Sequence, residues 1–250
     1  MQKIALFDFD GTLLPWDTQK LFCHHVLRRH PQRRWYLPLF LMMLPCTPVL
    51  GAEGMKRVFL SFLWKLPQQD VDELARDFAR KWVPAQIWPE MREILEEHRR
   101  AGDLTILISA SPEPYVKEVG RLLGFDLAFG TVVDFPDGGL PLFPDLINNK
   151  GWEKVRRLRR ELPADVFVGD QLQSAHGYTD SCADLPMLTL CQQATVVNPS
   201  KRLREIAESS GWAIMSLPRP WRNRWQRAWH RLFYLVGSDR IGPPHRNQNR

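Results

Sequence analysis

Asp8-Phe9-Asp10-Gly11-Thr12-Leu13-Leu14, reached directly after the apolar run at residues 3–7, is the stretch on which the reading of this chain turns. The run has the length and composition of a short buried strand. Two aspartates spaced i, i+2 at its carboxyl end, with Gly11 to permit a tight turn, gather negative charge where the chain leaves the sheet. In an open α/β sheet, ligands bind beyond the carboxyl ends of the strands. Such crowding costs stability unless a proton or a cation offsets it.

Outward from that strand, residues 18–100 are mainly helical in pattern, punctuated by Pro31, Pro38, Pro45, Pro48, Gly51, Pro67, Pro84 and Pro89. Val71, Leu74, Ala75, Phe78, Ala79 and Trp82 form a stripe of helical period. Beyond residue 100, strands and helices alternate. Strands are predicted at 104–109, near 173–178, at 194–197 and at 212–217, with a hairpin over 130–144 around Asp137-Gly138-Gly139. Helices are predicted at 112–123, 149–162, near 183–191 and at 201–209. The alternation predicts an α/β fold built on a doubly wound parallel sheet. The helical block after the first strand is too long for a crossover and reads as an inserted cap. The division is a core of residues 1–16 and 101–217, a helical cap of 17–100, and a basic Trp/Arg-rich C-terminal helix and tail of 218–250. No internal repeat interrupts this plan.

Composition sets the bounds. The 250 residues are 44% hydrophobic and 25% charged, which excludes wholesale disorder. A chain of this length buries roughly 70% of its unfolded surface without staples. Cys23, Cys46, Cys182 and Cys191 form no CxxC pair and no zinc-ligand spacing, so a reducing, cytoplasmic setting is expected. The N-terminus does not read as a signal peptide, because acidic residues arrive too early. The net charge of +6 is local: residues 219–250 hold eight arginines and one acid, leaving the other 218 residues at −1.

The chain also resembles a known family. Asp8-Phe9-Asp10-Gly11-Thr12-Leu13-Leu14 is similar to motif one of the haloacid dehalogenase superfamily, whose members are mostly phosphatases. Leu107-Ile108-Ser109-Ala110-Ser111 resembles motif two, a buried strand ending in a hydroxyl. Lys150, in Asn149-Lys150-Gly151-Trp152, resembles the motif-three lysine. Gly177-Tyr178-Thr179-Asp180-Ser181-Cys182-Ala183-Asp184 resembles motif four, with acids at i and i+4. Val168-Gly169-Asp170 imitates its start, but Ser174 stands where the second acid belongs, so Asp170 reads as a loop residue.

The resemblance implies a hydrolase of phosphate monoesters. Asp8 would attack phosphorus to form an aspartyl-phosphate, and Asp10 would protonate the leaving oxygen and later accept a proton from water. Mg²⁺ would be held by Asp8, the Asp10 carbonyl and Asp180, with Asp184 ligating or orienting nearby. Lys150 would offset charge on phosphate and nucleophile, Ser109 and the backbone at Ala110 would donate to phosphate, and Thr12 would brace the motif-one turn. The plainer readings stay open: Ser109 as a strand-end cap, Lys150 as one more solvated charge beside Lys154, Arg156, Arg157, Arg159 and Arg160, and Asp184 as a helix cap.

The cap places the chain nearest the subfamily that includes phosphoserine phosphatase. Asp17 falls where that enzyme has a cap-side glutamate near substrate, whereas Ala110 and Pro112 depart from its glycine-rich motif two. Residues 35–52 carry no charge, follow Arg28, Arg29, Arg33 and Arg34, and are interrupted by three prolines. They read either as a buried pair of cap helices or as a hairpin dipping into a membrane interface. In the tail, Trp221, Trp225 and Trp229 recur every four residues among arginines, which suits an anionic bilayer surface or a helix packed on the core. No nucleic-acid recognition fold accompanies them, so no specific nucleic-acid partner is expected. The predicted substrate is a phosphorylated small molecule or lipid, met in the cytoplasm or at the inner face of its membrane. Fraying is expected after Gly237.

Overall fold

The computed structural model describes residues 3–221 and 223–236. The first strand, β1 (Ile4–Phe7), is buried throughout and leads to a helical block: α1 (Thr18–Arg29), α2 (Tyr36–Met43), α3 (Thr47–Phe59), α4 (Gln68–Trp82) and α5 (Pro89–Arg100). Then follow β2 (Leu104–Pro112), α6 (Glu113–Leu123), β3 (Leu127–Val133), β4 (Leu146–Ile147), α7 (Trp152–Glu161) and a small hairpin of β5 (Phe167–Val168) and β6 (Gln171–Leu172). The chain closes with β7 (Ala175–Thr179), α8 (Leu185–Leu188), β8 (Gln193–Val197), α9 (Lys201–Ser210), β9 (Ala213–Met215) and α10 (Arg224–Val236).

Among the described residues the main sheet has seven strands in the order β4-β3-β2-β1-β7-β8-β9, all parallel except the β4 edge. β1 lies between β2, with Phe7 opposite Leu107, and β7, with Phe7 opposite Tyr178. Its side chains alternate between two apolar layers. Ala5 and Phe7 face α5, α6 and the helical block, while Ile4 and Leu6 face the side carrying Val155, Leu158 and Leu203. Both faces are covered, which is why the strand reads as a continuous apolar run rather than an alternating one. The order reverses at β1, so Asp8 leaves the sheet at its topological switch point.

Two expected elements differ in detail. The hairpin expected at 130–144 is the pair β3 and β4, joined by a longer loop that contains Asp137-Gly138-Gly139. The helix expected from 149 begins at Trp152, and this shift matters below. The stripe in α4 is buried as expected through Val71, Leu74, Ala75, Phe78 and Ala79. α1 and α4 share one apolar layer with α6, through Phe22, Phe78 and Tyr115. α5 lies on the sheet itself, where His98 reaches the Tyr178 hydroxyl at 2.9 Å.

The segment Pro31–Leu63 is long and apolar enough to cross a membrane by length and composition alone, at mean hydropathy 1.4. It is folded as a series of short helices with a bend at Gly51, where φ is +63°. The reading of 35–52 as a buried helix pair does not hold: only Tyr36 is buried, and Leu41, Met42, Leu44 and Val49 are exposed.

In α10 it is Tyr234 and His230 that turn inward, packing with Trp16 at ring distances of 5.7 and 5.5 Å, while Trp221 stacks edge-on against the same ring at 5.3 Å. Trp225, Trp229 and Leu232 are exposed. One side of α10 thus packs on Trp16, as the core-packing reading of the tail expects, and Trp225 and Trp229 lie towards its exposed side. Arg34 Nε donates to the Val236 carbonyl at 2.9 Å, bringing the end of α10 beside the start of the apolar hairpin. The fraying expected after Gly237 and the position of Arg222 lie outside the described residues, as do the side chains of Arg224, Arg227 and Arg231.

Candidate active site

Asp8 is buried at the end of β1, with its N–H donating to the Tyr178 carbonyl at 3.0 Å. Both carboxylate oxygens are held. Thr12 Oγ1 donates to Oδ2 at 3.1 Å, the brace expected of that residue, and Lys154 Nζ donates to Oδ1 at 2.8 Å. The same ammonium reaches Asp184 Oδ1 at 2.9 Å, and Asp184 Oδ2 accepts from Thr179 Oγ1 at 2.7 Å. Asp180 comes from the loop after β7 and lies against the motif-one turn. Gly11 sits there at φ +83°, and a Cβ on it would overlap the Asp180 carboxylate. Glycine is therefore required twice, by conformation and by space.

The lysine that reaches Asp8 is Lys154, not Lys150. Because the helix starts at Trp152, Lys150 precedes it and stands exposed at the rim of the cleft. Lys154 lies one turn further along, on the buried face with Val155 and Leu158. A buried ammonium is costly unless its donors are satisfied, and two carboxylates satisfy this one. The sequence carried a signal for it: Lys154 falls four residues before Leu158 on the apolar stripe, whereas Arg156, Arg159 and Arg160 fall off it.

Asp10 turns towards motif two. Its Oδ1 accepts from the Thr18 N–H at 2.5 Å and its Oδ2 from Ser111 Oγ at 2.6 Å. Ser109, expected to meet phosphate, is fully buried behind this pair. Its hydroxyl accepts from the Ser111 N–H at 3.0 Å and lies 3.5 Å from Asp10 Oδ2. Ala110 and Ser111 line the cleft in its place; sequence reasoning passed over Ser111, although it stands two residues on in the same strand. Asp17 caps α1 by accepting from the Lys20 N–H, pairs with the Lys20 ammonium, and lines the cleft on the cap side. Asp170 is exposed at the tip of the β5–β6 hairpin, paired with Arg159 at 2.9 Å.

The electrostatics follow from crowding. Burial first, and then the neighbouring acids Asp184 and Asp10, raise the Asp8 carboxyl to about 7 despite Lys154. Burial and the charges of Asp8 and Asp184 raise Asp180 to about 8. Asp10 is raised by burial and by Asp17. For Lys154, burial opposes its charge, but Asp184 and Asp8 outweigh it and hold the ammonium above the ordinary lysine value. Asp8 and Asp184 thus bond one buried ammonium with Asp180 and Asp10 close beside them, and every donor is oxygen, a set that fits a hard divalent cation. Among the described residues no three such side chains already stand at metal-ligand spacing. Asp184, like Asp8, has both oxygens engaged, one by Lys154 and one by Thr179.

The cleft above these groups measures about 680 Å³. Its floor is Asp8, Asp10, Asp180 and Lys154; opposite stand Phe40, Ala52, Met55 and Phe59 from α2 and α3, beside the polar Asp17, Gln19 and Lys20 of α1 and its cap. Lys56 projects from α3 into the same space.

A family model described as haloacid dehalogenase-like hydrolase matches residues 5–189. The chain is 28% identical over 218 residues to phosphoserine phosphatase SerB1 of Mycobacterium tuberculosis, covering 84% of this chain and 69% of that one. It is 24% identical over 230 residues to histidinol-phosphatase of Neisseria meningitidis, covering 86% and 99%. Its fold is similar to the crystal structure of a Bordetella pertussis protein of unknown function, with a TM-score of 0.70, 23% identity and coverage of 86% and 99%. The matched span runs from β1 through motif four, so the carboxylates at the switch point and the family likeness fall on the same residues. The chain belongs to the haloacid dehalogenase-like hydrolases, and it is an enzyme of the phosphatase kind.

Proposed function

We propose that the chain hydrolyses phosphate monoesters through an aspartyl-phosphate on Asp8. The observation that carries this is the pair of bonds fixing the Asp8 carboxylate, one to Lys154 and one to Thr12, beneath an open cleft. An Asp8 oxygen bonds to phosphorus as the bond to the ester oxygen breaks, and Asp10 gives that oxygen a proton. Water then attacks phosphorus, its proton passes to Asp10, and the bond to Asp8 breaks, releasing phosphate. Lys154 offsets charge on the nucleophile throughout, and Ser111 and the Thr18 N–H keep Asp10 aimed. Asp8, the Asp10 carbonyl and Asp180 would hold Mg²⁺, which when bound lowers the repulsion between phosphate and carboxylate. Turnover of an aryl phosphate with and without chelator tests the reading, together with recovery of a hydroxylamine-labile phosphate on the peptide containing Asp8. Metal-independent turnover, or phosphate on another residue, would refute it.

For the ester, the apolar wall of Phe40, Ala52, Met55 and Phe59 favours a substrate with an apolar body, taken by a cytoplasmic enzyme at an anionic membrane face. The outer side of the same two helices exposes Leu41, Met42 and Val49, with Val49 at 90%, and such a tip flanked by arginines suits a lipid interface. A soluble, phosphoserine- or histidinol-phosphate-like metabolite is the second reading, supported by what the relatives are named for. Flotation with phosphatidylglycerol vesicles separates the two. Wild type should float and a Leu41→Ser, Met42→Ser, Val49→Ser variant should not. If neither floats and phosphoserine outpaces lysophosphatidate as substrate, the second reading holds.

A further inference from the structure

We propose that Lys56 is a positioning residue carried by the cap, which fixes the Ala110–Ser111 peptide and through it the aim of Asp10. The inference rests on Asp10 acting as the acid and base of the hydrolase. Lys56 Nζ donates to the Ala110 carbonyl, to Thr131 Oγ1 at 2.9 Å and to Asn148 Oδ1 at 2.7 Å. An ammonium has three donors, and all three meet acceptors of the core. A lysine whose role was to grip a substrate anion would leave a donor facing the cleft; this one does not.

What it grips lies one bond from the chemistry. Thr131 Oγ1 donates to the same Ala110 carbonyl at 2.5 Å. The other end of that peptide, the Ser111 N–H, donates to Ser109 Oγ at 3.0 Å, and Ser111 Oγ donates to Asp10 Oδ2 at 2.6 Å. A cation on a peptide carbonyl polarises the whole unit and strengthens the bond made by its N–H. The line from α3 to Asp10 is therefore continuous, and it crosses from the cap to the core. Lys56 thus ties α3 to the turn that carries Ser111, and without it the Ala110 carbonyl would keep only Thr131.

A residue that aims the acid shows itself through the leaving group. An alkoxide needs a proton to depart, whereas a nitrophenolate does not. In full-length Lys56→Met, kcat/KM for glycerol phosphate, which reports the steps through phosphoryl transfer to Asp8 and leaves out the later attack of water, should fall about tenfold to a hundredfold, the equivalent of one charge-assisted hydrogen bond. For p-nitrophenyl phosphate the fall should stay within about threefold, and inhibition by inorganic phosphate should hold within the same margin. Lys56→Arg should recover part of the loss, and Thr131→Val, which keeps the ammonium, should reproduce the same leaving-group pattern more weakly. Equal losses for both esters would overturn the proposal. So would weakened phosphate inhibition with kcat unchanged, which would make Lys56 an anion ligand. Should the wild-type chain turn over neither ester, the hydrolase reading fails first and takes this proposal with it.

Discussion

Lys154 and Asp8 meet at 2.8 Å although 146 residues separate them in sequence. Neither side chain is stable there alone: a lone ammonium or a lone carboxylate at that depth would shed its charge. Lys154→Met should therefore lower turnover of an aryl phosphate by at least about a hundredfold, the scale of a lost donor to developing charge. Lys150→Ala, at the exposed rim, should change it less than about fivefold. Steady-state kinetics on the two variants side by side check the assignment, and the reverse ranking would overturn it.

Asp8→Asn keeps the shape of the nucleophile and removes its charge. Turnover should vanish while the circular dichroism spectrum and the melting transition persist. Residual hydrolysis well above background would rule out the covalent route.

In divalent-free buffer the acids at the switch point hold protons more tightly folded than unfolded, with Asp8 at about 7 and Asp180 at about 8 against an ordinary 3.8. The folded state then carries more protons, so stability falls as pH rises from about 6.5 to 8. Millimolar Mg²⁺ should reverse the fall, because binding to the folded state alone stabilises it by mass action. Thermal melts at both pH values, with and without Mg²⁺, read this directly; a melting temperature that climbs with pH without metal would contradict it.

His176 stacks on Tyr178 at 4.3 Å and bonds to Thr195 Oγ1 at 2.8 Å, and burial together with the charges of His98 and Lys3 lowers it to about 4. Its folded value is depressed, so the stability it carries is complete above about 6.5 and drains away as pH falls towards 4. His176→Asn has no such titration. Wild type should lose stability relative to this variant between about pH 7 and 4.5 in denaturant melts, and a constant gap would sink the claim.

Tyr234 is buried against Trp16 and His24, while Trp229 one turn earlier is exposed. Tyr234→Ala should cost about 3 kcal/mol of folding stability, and Trp229→Ala less than about 1. Urea midpoints measure both.

Much of this was legible in the sequence because the strands are short and both faces of the sheet are covered. Residues 3–7 could only be an inner strand, and the carboxylates that follow it had one place to go. Motifs one, two and four were readable for the same reason. The lysine was harder to read, because five other cations share the segment from 150 to 160 and the stripe through Leu158 singles out Lys154 only once the start of α7 is known. Ser111 was hidden behind Ser109 because β2 carries an irregularity between Ile108 and Pro112, which breaks the strict alternation of sides. For residues 35–52 composition left two readings open, and the exposure of Leu41, Met42, Leu44 and Val49 excludes only the buried pair.

The meeting of Gly11 with the Asp180 carboxylate limits how this enzyme can be altered. The two ends of the charge cluster are kept together by the absence of a single methyl group, so Gly11→Ala strains its own turn and presses directly on Asp180 of motif four. A variant at that codon would therefore disturb two loops at once while leaving nucleophile and acid chemically unchanged.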